Sequence, residues 1–217
     1  MIPSLVKIQF PDPESADENG ILCWSRDINV DYLLGAYGSG IFPWPSEEDY
    51  VVWFAPPQRA VLFLDEFHIS ERTRRYFRKS AFCFDMNRNF AGVMKSCASV
   101  SRKGENGTWI TRKIMDSYTE LYERGFAASF EAYSPGGILA GGTYGVLHGK
   151  YFSAESMFHT EDNASKFALS SAVEYLLAKG VKWIDVQVMN PFIESLGCRE
   201  VSRAEFTEML KASWAAK

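Results

Sequence analysis

Proline is concentrated at one end of this 217-residue chain, since seven of its nine prolines fall within the first 57 residues. Proline fixes φ and lacks a backbone N–H donor, so it interrupts helices and central strands. We therefore expect residues 1–60 to be irregular apart from one short helix over 29–37, with Asn29 as its N-cap and Gly38 as its stop. The chain is then either one domain with an extension, or one small and one larger domain.

From residue 59 onward the sequence alternates between strand and helix patterns. Helices are predicted over four segments: Ser70 to Lys79, the apolar positions from Ile110 up to Gly125, Asn163 to Gly180, and a last one from about Ser202. Strands are predicted over 59–64, 82–87, 127–133, 138–147, 150–158 and 183–189, with a turn at His148-Gly149. A meander of strands, a crossover helix and one more strand indicate a mixed α/β plan.

Composition excludes several classes of protein. The formal net charge is −4, so nucleic-acid contact requires a local basic patch. The start lacks an apolar signal core, and no apolar run approaches the ~18 residues of a membrane span. The four cysteines are widely spaced, without a CxxC or Cys/His pair, which argues against zinc and against a disulfide scaffold. We expect a soluble, cytoplasmic protein with a substantial core.

Polar side chains interrupt two of the predicted strands. In WIDVQVMN (183–190), Asp185 and Gln187 share one strand face with Met189; in 151–158, Glu155 and Met157 share a face. Strands that flank a long helix are often neighbours, so these groups are expected to line a common cleft. The alternative is a solvated face. Burying a carboxylate without partners costs several kcal/mol of stability. If these carboxylates are shielded from water, a functional role is therefore favoured.

One predicted helix is strongly basic. The segment SERTRRYFRK (70–79) holds five cations against the single Glu71, and like charges at i,i+4 repel by a few tenths of a kcal/mol. It is either a solvated face or a stripe that contacts phosphates. The five cations are Arg72, Arg74, Arg75, Arg78 and Lys79.

Seven short motifs, in this order and spacing, resemble the leucyl/phenylalanyl-tRNA–protein transferase family: GIFPW (40–44), HIS (68–70), GTWITR (107–112), ESMF (155–158), NASK (163–166), IDVQ (184–187) and SLG (195–197). The resemblance implies an α+β fold with a small N-terminal domain (1–60) and a GNAT-like domain (61–217) with a mixed sheet. It implies transfer of Leu, Phe or a similar amino acid from aminoacyl-tRNA to proteins beginning with Arg or Lys, which marks them for degradation. No metal, cofactor or membrane is implied, and a monomer is favoured.

The same resemblance assigns roles to individual residues. Asp185 and Gln187 match the catalytic pair, and Glu155 matches the carboxylate that binds the acceptor. Trp44 and Trp109 match aromatic positions near the terminal adenosine of the tRNA. The basic segment matches the helix that contacts the tRNA backbone. The pocket for the donated side chain is matched by Met157, Leu169 and Ile184.

Several positions depart from the family pattern. Ser25-Arg26 replaces the usual Gly-Gly before Asp27, and Thr143 and Ala172 replace a Met and an aromatic residue of the pocket. The pocket is therefore expected to be larger or more polar, which leaves the donated amino acid open.

Three other functions fit the sequence less well. An acetyl-CoA-dependent N-acetyltransferase needs a Gly-rich pyrophosphate loop leading into a helix, but GILAGGTYG falls in a strand and TEDNASK lacks the glycines. A peptidoglycan-type aminoacyl transferase fits the motifs less well. A tRNA- or N-terminus-binding module without catalysis would not require Glu155, Asp185 and Gln187 together.

Overall fold

The N-terminal part contains a small sheet rather than irregular chain. The computed structural model describes residues 8–44, 50–100 and 108–215; two of the N-terminal prolines, Pro3 and Pro45, and Gly107 of the GTWITR motif lie outside these ranges. Strands β1 (Ile21–Ser25), β2 (Phe42–Trp44) and β3 (Val51–Phe54) pair antiparallel in the order β1-β3-β2. The expectation of irregularity over 1–60 was wrong because Pro43 lies on β2, an edge strand, where a missing N–H is tolerated.

The predicted short helix is confirmed in this part. Helix α1 runs over Val30–Gly38, so it ends one residue later than expected and includes Gly38. The Asn29 side chain caps it by accepting from the backbone N–H groups of Asp31 and Tyr32.

A seven-stranded mixed sheet forms the rest of the molecule, in the order β10-β4-β9-β8-β7-β6-β5. The six predicted strands are present, and β10 was not predicted. Neighbours are antiparallel except β8 and β9, which are parallel and joined by the crossover helix α5. The bounds are β4 Gln58–Phe63, β5 Cys83–Met86, β6 Ala127–Tyr133, β7 Leu139–His148, β8 Tyr151–His159, α5 Ala164–Ala178, β9 Trp183–Gln187 and β10 Arg199–Ser202.

Five further helices pack on this sheet or extend from it: α2 Glu71–Ser80, α3 Phe90–Ser99, α4 Arg112–Glu123, α6 Pro191–Glu194 and α7 Arg203–Ala215. Ser70 caps α2 as predicted. Helix α3 was not predicted from the sequence. A residue distant in sequence fixes its start, because the buried carboxylate of Glu131 on β6 accepts from the backbone N–H of Asn89. Asn163 precedes α5 as predicted, but with φ 61° and no side-chain cap.

Two hydrophobic clusters cover the two faces of the sheet. The larger one continues from the N-terminal part into the main sheet, and includes Trp53, Tyr37, Tyr118, Tyr144 and Phe206. The second lies beneath α5 and includes Phe130, Phe152, Val173, Leu176 and Ile184. The candidate site lies where strands β8 and β9 meet between these clusters.

Candidate active site

The three predicted catalytic residues lie at the parallel junction of β8 and β9. Backbone pairing between these strands is confined to Phe152 with Ile184 and Ser153 with Asp185. Glu155 follows on β8 and Gln187 on β9, and the side-chain amide nitrogen of Gln187 donates to Glu155 Oε1 at 3.0 Å. The structure therefore brings Glu155, Asp185 and Gln187 together, as the sequence analysis expected.

A β-bulge places Glu155 at this junction. Tyr144 on β7 pairs with Ser156 and Gly145 with Ala154, which leaves Glu155 as the extra residue on β8. Gly145 is needed there, since a Cβ atom would lie 1.9 Å from the carbonyl oxygen of Ser153.

The bulge also changes which residues share a face. Met157 pairs with Thr143, whereas its neighbour Phe158 joins the larger cluster on the opposite face. The expectation that Met157 shares the face of Glu155 was wrong, because the extra residue reverses the alternation beyond it.

Asp185 is a fully buried carboxylate held by a dense set of donors. Arg59 on β4 binds both oxygens, with Nε 2.8 Å from Oδ1 and Nη2 2.7 Å from Oδ2. Tyr151 donates its hydroxyl to Oδ2 at 2.7 Å, and the backbone N–H of Gln187 donates to Oδ1 at 3.0 Å.

Arg59 was missed by the sequence analysis. Its guanidinium lies between the rings of Phe42 and Phe206, 4.2 and 4.5 Å from their centroids, and also donates to the carbonyl of Gly40. Desolvation by burial alone would lower the pKa of Arg59, but the carboxylate of Asp185 raises it, so the cation persists. No local pattern in the sequence marked an arginine whose partner lies 126 positions away.

Gln187 ends strand β9 in a left-handed backbone conformation, with φ 61°. Such a conformation is uncommon for residues other than glycine and is often found at functional sites. Its side-chain nitrogen donates to Ser153 Oγ at 2.8 Å as well as to Glu155. The prediction that the strand continues to Met189 was wrong: beyond Gln187 the alternation stops, and Met189 packs against the cluster beneath α5.

Ser153 links the three predicted residues and was not singled out from the sequence. Its buried hydroxyl lies 2.9 Å from Glu155 Oε1 and 3.3 Å from Asp185 Oδ2, and it accepts from Gln187. With a single hydroxyl proton it can donate to one carboxylate at a time.

Glu155 is half-buried beside two tyrosines of the larger cluster. Tyr118 on α4 donates to its Oε2 at 3.2 Å, and the Tyr118 hydroxyl is 2.5 Å from that of Tyr37 on α1. Burial raises the pKa of the Glu155 carboxyl to about 7, although hydrogen bonds from Tyr37, Ser153 and Tyr118 act to lower it. Glu155 can therefore change its protonation state near neutral pH.

The residues predicted to hold the donated side chain lie on the α5 side of the sheet. Ile184 is fully buried on β9, Leu169 is buried on α5, and Met157 is half-buried. Met157 lines an open groove of about 500 Å³ with Lys166 and Phe192. Thr143 and Ala172, the two departures, are also buried, and the Thr143 hydroxyl donates to the carbonyl of Ser156.

The two predicted adenosine-contacting tryptophans differ in exposure. Trp44 on β2 is 38% exposed and stacks on Phe54, with ring centroids 5.0 Å apart. Trp109 is half-buried against the larger cluster. The departure at Ser25-Arg26 is built into this part of the fold, because the Ser25 hydroxyl donates to the carbonyl of Asp27 and accepts from the indole of Trp53.

The basic segment forms helix α2 with all five of its predicted cations exposed. Glu71 pairs with Arg75 and Arg78 at 3.7 and 3.0 Å, which offsets part of their charge. A groove of about 560 Å³ beside the helix is lined by Arg72, Arg75 and Lys79 on one side and by Asp162, Asn163 and Lys166 on the other. Lys166 thus borders both this basic groove and the groove of Met157.

Within residues 8–44, 50–100 and 108–215, no group of three or more His, Cys, Asp or Glu side chains could hold a metal ion. None of the helices in these ranges is both long and apolar enough to cross a membrane.

Comparison with protein families gives two matches that together span most of the chain. The family model described as leucyl/phenylalanyl-tRNA protein transferase matches residues 61–211, and that of its N-terminal domain matches residues 26–57. Curated proteins named leucyl/phenylalanyl-tRNA–protein transferase are also similar. The one from Flavobacterium johnsoniae is 42% identical over 203 residues, covering 94% of this chain and 95% of its own. The one from Shewanella oneidensis is 44% identical over 203 residues, covering 93% and 85%.

A solved structure supports the fold. The crystal structure of FemX is 13% identical in sequence and superposes with a TM-score of 0.52, covering 81% of this chain and 68% of its own. The expected α+β architecture, with a small N-terminal part and a GNAT-like mixed sheet, is thereby confirmed.

Proposed function

The chain belongs to the leucyl/phenylalanyl-tRNA–protein transferase family, and from this membership we propose that it moves a leucyl, phenylalanyl or similar group from tRNA to the N-terminal α-amino group of an acceptor protein. The observation that carries the proposal in this chain is the single hydrogen-bonded network of Glu155, Asp185 and Gln187 at the β8–β9 junction. Acceptors are proteins that begin with Arg or Lys, and the product is a degradation signal.

The chemistry is aminolysis of an activated ester. A neutral amine must approach the ester carbonyl, a proton must leave, and the oxyanion must be stabilised. The side-chain nitrogen of Gln187 is fixed by Ser153 and Glu155, while its amide oxygen receives no hydrogen bond from the part of the chain that the structure describes. That oxygen is the group we assign to accept a hydrogen bond from the attacking amine, so that Gln187 acts by positioning.

Asp185 positions Gln187 through its backbone. Its carboxylate holds the backbone N–H of Gln187 rather than the side-chain amide. It thereby fixes the left-handed backbone that directs the amide into the junction, and its own charge is compensated by Arg59.

The remaining roles follow the same proposal. Glu155 attracts the cationic N-terminal residue of the acceptor. Trp44 and Trp109 contact the terminal adenosine, and the basic helix α2 contacts the phosphates. Met157, Leu169 and Ile184 form the apolar side of the pocket, while Thr143 and Ala172 make it roomier than the family pattern. The donated amino acid is therefore assigned as a class, large and apolar, rather than as one species.

A transfer assay tests the proposal. Purified protein is incubated with charged Leu- and Phe-tRNA and with matched peptides that begin with Arg, Lys or Ala. Transfer to the Arg and Lys peptides, with little to the Ala peptide, is the expected result. Binding of tRNA without transfer would instead support the binding module, and turnover of acetyl-CoA would support the acetyltransferase.

Two variants connect the assay to the site. Gln187→Ala should reduce turnover while leaving tRNA affinity unchanged. Asp185→Ala should also reduce it, but this change leaves the Arg59 cation buried without a partner, so its folded state must be verified by circular dichroism. Near-normal turnover by both folded variants would remove the pair from the mechanism.

A further inference from the structure

The proposed reaction needs a proton acceptor that neither member of the catalytic pair can supply. An α-amino group has a pKa of about 8, so at neutral pH most acceptor N-termini are ammonium ions, which are not nucleophilic. The amide of Gln187 cannot hold a proton at such a pH. Asp185 is already bound at both oxygens by Arg59, and by Tyr151 and the Gln187 backbone, so protonating it would break an ion pair in the core.

Unlike Asp185, Glu155 is surrounded by neutral hydrogen-bond donors. Its oxygens receive hydrogen bonds from neutral groups, Ser153, Gln187 and Tyr118. No cation within hydrogen-bond distance compensates it among the residues that the structure describes. The titratable groups around it are Tyr118 on α4, Tyr37 on α1, Asp185 on β9, and Arg59 on β4, whose charge is directed at Asp185.

Glu155 also lies close to the place where the acceptor amine would bind. Its Oε1 lies 3.0 Å from the side-chain nitrogen of Gln187, on the same side chain whose oxygen would receive the amine. An ammonium ion that approaches the Gln187 amide therefore comes close to the carboxylate of Glu155.

We infer that Glu155 accepts the proton that the acceptor α-ammonium gives up before it attacks the ester. This rests on the proposed function and adds a chemical step to the residue that attracts the acceptor. The carboxylate takes one proton and becomes neutral, and the free amine forms the new C–N bond. The tetrahedral intermediate then passes a proton from nitrogen to the leaving ribose oxygen as the C–O bond breaks. Glu155 returns its proton to solvent, so the whole reaction releases one proton.

The electrostatics agree with this geometry. Burial raises the pKa of Glu155 to about 7, close to that of an α-amino group. Proton transfer between the two is therefore nearly balanced in free energy, which is the condition under which general bases are most effective.

The test is the pH dependence of single-turnover transfer at saturating acceptor peptide, for the wild type and for Glu155→Gln. At about pH 6.5 the variant should be slower by about 100-fold, the usual contribution of a general base. The ratio of the wild-type rate to the variant rate should fall by roughly fivefold towards about pH 8.5. The reason is that the acceptor amine loses its proton to water once the pH passes the pKa of that amine. A ratio that stays constant with pH would overturn the inference.

A second acceptor separates proton transfer from binding. In a matched peptide that still begins with an Arg side chain, the α-amino group is replaced by an aminooxy group, which is neutral over this pH range. The wild type and Glu155→Gln should then react at rates within about threefold of each other. An undiminished 100-fold defect with this peptide would mean that Glu155 acts only by binding or positioning.

Tyr118→Phe provides an independent variant that keeps the carboxylate. Removing this donor takes away a hydrogen bond that lowers the pKa of Glu155, so the rising limb of the pH–rate profile should move to higher pH. An unmoved limb would contradict the assignment.

Stability measurements test whether misfolding causes the slower transfer by Glu155→Gln. Because the pKa of Glu155 is higher in the folded protein than in the unfolded chain, its ionisation destabilises the fold as pH rises from about 4.5 towards 7. Glu155→Gln should thus be at least as stable as the wild type at about pH 8. A wild type that fails to transfer at any pH would instead refute the proposed function, and the inference with it.

Discussion

Arg59 supplies the positive charge that compensates Asp185 at the β8–β9 junction. It is 2% exposed, binds both oxygens of Asp185, and is enclosed by two aromatic rings. Removing one member of a buried ion pair leaves the other charge buried without compensation. The stability lost in this way is far larger than the net stability that the intact pair contributes.

Arg59→Met should therefore lower the free energy of unfolding by about 3–5 kcal/mol, measured by chemical denaturation. Arg199→Met is the matched control, because Arg199 also lies over a ring, that of Phe63, and faces a carboxylate, that of Glu66, but is about half exposed. Its loss should change stability by less than about 1 kcal/mol. Equal effects in the two variants would show that the buried pair has no special weight.

The sequence identified some residues of the site and concealed others. Asp185 and Gln187 were visible because polar side chains stand out in an apolar strand. Arg59 and Ser153 were not, since the importance of both residues arises from contacts across the sheet. Pairing over such distances leaves no periodic trace in one sequence.

At the scale of elements, the bulge in β8 is the feature that alternation could not predict. It depends on Gly145, where an added Cβ would meet the backbone of Ser153. Gly136 offers a control, because a Cβ there meets nothing closer than 4.0 Å and its φ is not positive.

Gly145→Ala should destabilise the protein by about 1–3 kcal/mol, as overpacking does, and should reduce transfer because Glu155 is displaced. Gly136→Ala should leave thermal stability and transfer near wild type. Unchanged activity in Gly145→Ala would indicate that the position of Glu155 does not depend on the bulge.

Helix α2 gives a prediction about tRNA rather than about chemistry. Replacing Arg74, Arg75 and Arg78 by Glu should weaken tRNA binding and reduce the slope of log K against log salt by up to about 3, one for each lost phosphate contact. Transfer from a minimal aminoacyl-adenosine donor should persist.

The control changes the same amount of charge elsewhere, with Glu at the exposed positions Arg112, Lys113 and Lys211. It should keep most of the salt dependence. A similar loss of binding in both triple variants, or equal loss with tRNA and with the minimal donor, would count against a specific role for α2.

The element plan was largely predictable after residue 59 because long periodic segments carry their own pattern. The N-terminal strands were hidden by proline, and α3 by the Gly and Ser residues in FAGVMKSCAS. Both are stabilised by tertiary contacts: Trp53 packs on Phe10 and stacks on Tyr32, and Glu131 holds the start of α3. Tertiary contacts of this kind override weak local preference.

At the scale of the molecule, the N-terminal part and the main sheet share one hydrophobic cluster. Polar contacts reinforce it: Arg59 donates to Gly40, and Arg203 on α7 donates to the carbonyl of Ala55 at 2.7 Å. We propose that the division at residue 60 is one of architecture rather than of stability.

A single unfolding transition is therefore expected, with calorimetric and van't Hoff enthalpies in agreement. The Arg59→Met variant should be examined in the same way, because it removes the hydrogen bond from Arg59 to Gly40 that links the two parts. Two well-resolved transitions in the wild type would show that the parts are energetically independent.

The backbone of Gln187 has a consequence for engineering. Glycine adopts a φ near 61° without penalty, whereas glutamine there forgoes about 1 kcal/mol or more of stability. Glycine would also remove the two hydrogen bonds that the buried amide donates to Ser153 and Glu155, so the strain is relieved only by leaving those groups without this partner. The strained backbone and the hydrogen-bonded side chain of Gln187 are therefore kept or lost together.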